Sequence, residues 1–328
     1  VPAVLPAIAD MRDLDPVGPD GRFDRVRAMH RSWLALPCLT FVLACPAARP
    51  GDEDVGGTED ESSEGESSSD TTGSDTTDAT TDDTLPEPLA TVMGLTADMD
   101  GTILTGPGIQ LCGPIDGEGN VESCLPAKLS DGGDGSFSVG APKLGLYALK
   151  VVHAPLDGRY FTGQSFQIEL AMGDALDFSM PPITIPEATV TDVSGASGPT
   201  EIAVEGGLTL MVDPTTSTSP DFSNPTAIGG VDVAAEHWRV SEVEGAPVIK
   251  AWSLYPFGTH ADEGTEFGIA INDALGLAAG ETVTIWGIQK DNGVLHHVAD
   301  GTVNGDATAI DLVPVEGLHE LAWVLVVD

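Results

Sequence analysis

From about Leu89 the chain is built of short apolar runs that alternate with polar residues and break at Gly, Asp and Pro. Tyr147, Leu149 and Val151 alternate with Leu146, Ala148 and Lys150. Phe166, Ile168 and Leu170 alternate with Ser165, Gln167 and Glu169, which gives a strand with one polar face. Phe267, Ile269 and Ile271 repeat the pattern against Glu266, Gly268 and Ala270. Further strands are predicted at Leu208–Val212, Val248–Tyr255, Glu266–Asn272, Thr282–Lys290 and Leu318–Val327. Turn signals stand at Asp100-Gly101, Asp134-Gly135 and Asp157-Gly158. No clean helical period occurs, so the fold class predicted is all-β. Pro181-Pro182 and Pro186 mark a boundary between two β-sandwich-like domains, 89–186 and 187–328.

Upstream the pattern is different. Residues 46–88 are rich in Ser, Thr, Asp and Glu, with hardly an aliphatic residue and no aromatic. Such a stretch buries too little apolar surface to offset chain entropy, and a disordered acidic tether is expected. As a coil it would reach roughly 35–40 Å, and further under its own charge repulsion. Residues 1–28 mix Pro, Asp and Arg without period. They are expected to be a disordered leader or an over-extended start, with translation beginning at Met29.

Charge narrows the range of partners. The 328 residues hold 13 Lys and Arg against 52 Asp and Glu, a net charge of -39. Nucleic-acid binding exchanges counterions for Lys and Arg, so a nucleic-acid partner is excluded. Direct docking on anionic lipid is disfavoured for the same reason. The carboxylates suit solubility and mutual repulsion; weak binding of divalent cations is the sharper alternative.

Between Met29 and Cys45 runs MHRSWLALPCLTFVLAC. His30 and Arg31 form a short basic start, and Trp33–Ala44 is an uncharged run too short for a permanent membrane span. It ends in Val42-Leu43-Ala44-Cys45, which resembles the bacterial lipobox. That resemblance implies a signal peptide over 29–45, cleavage before Cys45 and lipidation of its thiol. Two or three acyl chains anchor stably where one does not. Pro46 stands where the family's inner-membrane retention signal has Asp, which favours the outer membrane. The expected location is therefore the cell envelope, with the membrane engaged through an acyl anchor. A plain secretory signal cut near Ala47-Ala48, or a chance apolar run, are the rival readings.

Residues 89–153 resemble the carboxypeptidase regulatory-like, prealbumin-type β-sandwich. The matching pieces are Val92-Met93-Gly94, Asp98-Met99-Asp100-Gly101, Asp134-Gly135-Ser136-Phe137 and Gly145-Leu146-Tyr147; Pro114–Val121 is an insertion in that pattern. Members are mostly structural or binding modules, and the resemblance carries no peptidase residue. If Cys38 leaves with the signal and Cys45 takes lipid, Cys112 and Cys124 are the two thiols left. An oxidising compartment predicts a Cys112–Cys124 disulfide; metal binding by the pair is the rival. Residues 250–328 resemble a ZU5-type β module at Pro256–Gly258, Gly280–Trp286 and Gly301–Val303, which implies an interaction module.

Catalytic motifs are missing. His319-Glu320 leads to Trp323, so there is no H-E-x-x-H, and neither G-x-S-x-G nor a phosphate loop occurs. Asp98-Met99-Asp100-Gly101 begins like a calcium loop, but Ile109 stands where the bidentate Glu belongs, so a turn is expected. His296 and His297 are strand neighbours that face opposite ways, whereas His237, His260 and His319 meet only if the fold brings them together. No cofactor, metal ligand or catalytic residue is assigned. The function expected is non-catalytic: a cell-envelope lipoprotein that displays β modules on a tether, with a protein or glycan ligand at the cell surface. An envelope hydrolase or carbohydrate-active enzyme, and a metal-binding envelope protein, are the alternatives.

Overall fold

A computed structural model describes residues 87–130 and 133–328. Residues 1–86, including the signal-like segment, Cys45 and most of the acidic stretch, lie outside the described residues. The rest is all-β as expected, interrupted only by two single-turn 3-10 helices, Pro214–Thr216 and Ala235–His237.

The first half forms two sheets face to face. In one, Ala90–Ala97 pairs antiparallel with Ser136–Ala141 and parallel with Ala175–Thr184. In the other the order is Lys128–Leu129, Gly108–Cys112, Gly145–Val152, Gly163–Leu170, all antiparallel. The alternation read from the sequence explains their packing: Val92, Ile109, Leu111, Tyr147, Leu149, Val151, Ile168 and Leu170 all point into one core. Gln167 and Glu169 are exposed as the expected polar face requires, whereas Ser165 is buried, because this end of the strand's outer surface is covered by the second half of the chain. Gln164, on the inner face with Phe166, is buried too and donates to the Thr184 carbonyl.

The second half is organised by a large sheet. Its path runs Thr200–Val204, Leu208–Val212, Gly268–Ile271, Ile310–Pro314, Leu295–Val303, Thr282–Ile288, Trp323–Val327, Ala246–Tyr255, Ala227–Asp232, Glu187–Asp192 and Tyr160–Phe161. The sheet coils upon itself: Ile202, Leu208 and Leu210 from one end share a core with Trp252, Leu254 and Val324 from its middle. A small sheet of Ser217–Thr218, Thr259–Ala261 and Glu320–Leu321 lies beside it. The run predicted as one strand over Leu318–Val327 is thus split at Ala322, with its first part in the small sheet and its second in the large one.

Trp323–Val327 and the Ala251–Leu254 part of Ala246–Tyr255 are buried on both faces, which is why Trp323–Val327 reads as an unbroken apolar run. Val324 and Val326 face the coiled core. Trp323, Leu325, Val327 and Ala251 face a third core, against which Met99 and Val152 of the first half pack. The Trp323 indole N–H donates to the Gly163 carbonyl at 2.8 Å, buried. At Gly163 a Cβ would lie 2.6 Å from the Phe257 ring, so only glycine allows this approach. The described residues form a single compact unit.

Candidate binding cleft

The two halves also meet along an open cleft of about 610 Å3. One wall begins at Asp157-Gly158, where both residues have positive φ (51° and 79°) and Leu156 and Arg159 exchange backbone hydrogen bonds. This is the tight hairpin turn that the Asp-Gly pair predicts. It delivers Tyr160–Phe161 to the edge of the large sheet beside Glu187–Asp192. Arg159 is fixed there by Glu187 at 2.7 Å and Asp98 at 3.3 Å, with its guanidinium 4.9 Å from the Phe161 ring centre. Tyr160 then stands edge-on to Tyr255, ring centres 5.2 Å apart at 69°. His153 tilts against Phe161 at 4.7 Å.

The opposite wall is the loop from Ser219 to Ala227. Ser219 and Ser223 close it through a 2.8 Å backbone bond, and Asp221 Oδ1 accepts from the Ser223 N–H at 3.1 Å and hydroxyl at 2.7 Å. Asn224 donates to the Pro214 carbonyl at 2.7 Å, which leaves its side-chain oxygen free to accept. Pro155, Pro220, Pro225 and Pro256 stiffen both walls. Burial raises the Tyr255 phenol above its ordinary value, and Tyr160 and Asp221 push the same way, so it stays a donor. Two features of this loop are costly. Ser219 is buried (8% exposed) and its hydroxyl has no partner among the described residues, and Phe222 is 92% exposed at φ 65°, a region bulky side chains avoid.

A second cavity, about 310 Å3, brings together His260, His296 and His319 with Asp291, Glu316 and Glu320. Burial lifts the Glu320 carboxyl to about 7; the Lys290 backbone N–H and ammonium oppose the shift and Asp291 adds to it. Burial and then Lys290 depress His260, and burial depresses His296. The Lys290 ammonium lies 2.9 Å from His260 Nε2, 3.3 Å from the Gly258 carbonyl and 3.9 Å from Glu320 Oε1. It holds the place a cation would take. Both ring nitrogens of His319 are 2.9 Å from carbonyl oxygens, of Thr265 and Glu316, so neither is open to a metal. Among the described residues no group of three or more His, Cys, Asp or Glu has the geometry to hold a metal ion.

The remaining candidates fall elsewhere. His237 contacts Thr184 at 3.2 Å in a different cavity, and His297 stacks on Trp286 while meeting Asp300 at 3.0 Å. Asp98 closes its own turn, accepting from the N–H groups of Asp100 and Thr102 at 3.1 and 2.9 Å. Cys112 and Cys124 are bridged. Sequence reasoning did not single out Tyr160 or Tyr255. The available signal was that two of the three tyrosines stand beside a turn residue, in GRYF and LYPF.

No protein-family model matches the chain, nor does any curated protein. Among solved structures, a streptococcal ancillary pilin is similar at 13% identity and a TM-score of 0.22, over 72% of this chain and 52% of that one. The Bacillus anthracis TIE protein is similar at 12% identity and 0.23, over 70% and 44%. This chain thus spans about half the length of these first two structures. A variant of BcpA, the major pilin subunit of Bacillus cereus, is similar at 8% and 0.23, over 71% and 95%.

Proposed function

We propose that this chain is a non-catalytic lipoprotein of the cell envelope. In this reading Cys45 carries the acyl anchor, 46–88 is the tether, and 89–186 and 187–328 are two β-sandwich modules that present a recognition surface to a protein or glycan. The carboxypeptidase regulatory-like and ZU5-type resemblances belong to the same reading. The observation that carries it is the aromatic, proline-walled cleft at Tyr160 and Tyr255: wide, open and lined by rings and acceptors, it suits recognition.

The anchor is tested by expressing the full chain in a bacterial host with an alkyne-bearing fatty acid. Label on the wild type, its loss in Cys45→Ala and release of that variant from the membrane fraction are expected. An unlabelled, soluble wild type overturns the lipoprotein reading. Density-gradient separation of the two membranes then checks the outer-membrane expectation.

Glu320 favours a second reading, an envelope hydrolase. A buried carboxyl that titrates near neutrality beside His260 is the kind of group that serves as a general acid or base. Turnover by the full chain on a hydrolase substrate panel, abolished in Glu320→Gln, would establish it in place of the binding reading.

A further inference from the structure

We propose that the cleft at Tyr160 and Tyr255 takes a neutral, hydroxyl-rich glycan, so that the recognition proposed above is of carbohydrate. The proposal rests on that binding reading and adds the ligand class and the residues that hold it.

The first argument is the Ser219 hydroxyl. It lines the cleft, is more than nine-tenths buried and has no partner among the described residues. A buried hydroxyl left unpaired costs about 1–3 kcal/mol. A group that both donates and accepts relieves it best, and a sugar hydroxyl does both.

The second argument is the balance of the lining. Asp221 keeps one carboxylate oxygen outside its turn, and Asn224 keeps its amide oxygen. These are acceptors, matched to a ligand that donates O–H. Among the described residues no Lys or Arg lines the cleft, and the whole chain carries a charge of -39. Sulfated, phosphorylated or uronic-acid glycans would meet repulsion without a counter-charge, which leaves neutral sugars.

The third argument is the aromatic pair. Tyr160 and Tyr255 both line the cleft, with ring centres 5.2 Å apart, and they offer aromatic faces on which the C–H face of a pyranose can lie.

The test uses the purified full chain against an array of neutral oligosaccharides of glucose, mannose, galactose and N-acetylglucosamine, followed by calorimetry on the best binder. Tyr255→Ala and Tyr160→Ala are each expected to weaken binding at least tenfold, and Ser219→Ala several-fold. Ser219→Ala breaks no hydrogen bond among the described residues and should not lower the melting temperature, so it keeps the test valid if a tyrosine variant fails to fold. Sugar binding that survives Tyr160→Ala and Ser219→Ala overturns the cleft assignment. Absence of any sugar binding, while wild type captures a proline-rich or other peptide at the same cleft, overturns the glycan and keeps the binding reading. If neither sugar nor peptide binds, both fall.

Discussion

At the scale of single residues, the acidity of this chain is partly structural. Asp134, Asp177, Asp192 and Asp221 each stand two residues before a serine whose N–H they accept. In all four the serine holds the carboxyl below its ordinary 3.8, first through a side-chain hydrogen bond and then through the backbone. A depressed carboxyl adds stability that is present above pH 3.8 and lost as pH falls through the folded value. Ser136→Ala should therefore let Asp134 titrate closer to 3.8, read from its carboxyl carbon by NMR.

Glu320 has the opposite sign. Its folded value of about 7 exceeds the ordinary 4.5, so the folded state binds the proton more tightly. Its contribution is intact below pH 4.5 and drains away as pH rises toward 7. His260 and His296, both depressed from 6.5, destabilise the fold as pH falls below that value. The two slopes oppose one another near pH 6. Glu320→Gln should remove one, so that thermal stability rises steadily with pH up to about 6.5 and then levels. Melts of both proteins between pH 5 and 8 check this; parallel curves would refute it.

At the scale of elements, the stretch from Pro114 to Val121 forms a small stapled hairpin. Ile115 bridges Val121, Asp116 closes the tip by accepting from Glu118 and Asn120, and the Cys112–Cys124 bond ties the base. Beneath it Ala148 is buried, although its neighbours Tyr147 and Leu149 face the other way into the main core. Replacing both cysteines with Ala should cost about 3 kcal/mol, the closure entropy of a loop this size, measured by urea denaturation. Strand positions and the Asp-Gly turns were legible in the sequence because a period of two and an Asx turn are local facts. Burial of Ser165, the split at Ala322 and the convergence of Tyr160 on Tyr255 were not. Each is decided by a partner far along the chain: Ser165 by the sheet behind it, Ala322 by Leu254, which donates its N–H to the Ala322 carbonyl at 2.7 Å.

At the scale of the whole molecule, the third core joins the halves. Trp323 and Leu325 lie on its far side, with Met99 and Val152 packed against it from the near side. Tyr160–Phe161, from the first half, also lengthens the large sheet. Unfolding should consequently be a single cooperative transition by calorimetry. Trp323→Phe removes the shorter of two side-chain hydrogen bonds to the buried Gly163 carbonyl, leaving that from the Ser253 hydroxyl at 3.4 Å, and should lower stability by about 0.5–1.5 kcal/mol while keeping one transition. Two separate transitions would show that the halves melt independently.

The position of Trp323–Val327 has a bearing on biosynthesis. This strand lies in the middle of the large sheet, between Thr282–Ile288 and Ala246–Tyr255. Until residues 323–327 have left the ribosome, the strands on either side present bare edges to solvent. The large sheet therefore cannot close before this strand is in place, and until then the chain stays open to chaperones. A chain stopped at Ala322 should aggregate and resist extraction with mild detergent, whereas the chain that includes Trp323–Val327 is extracted.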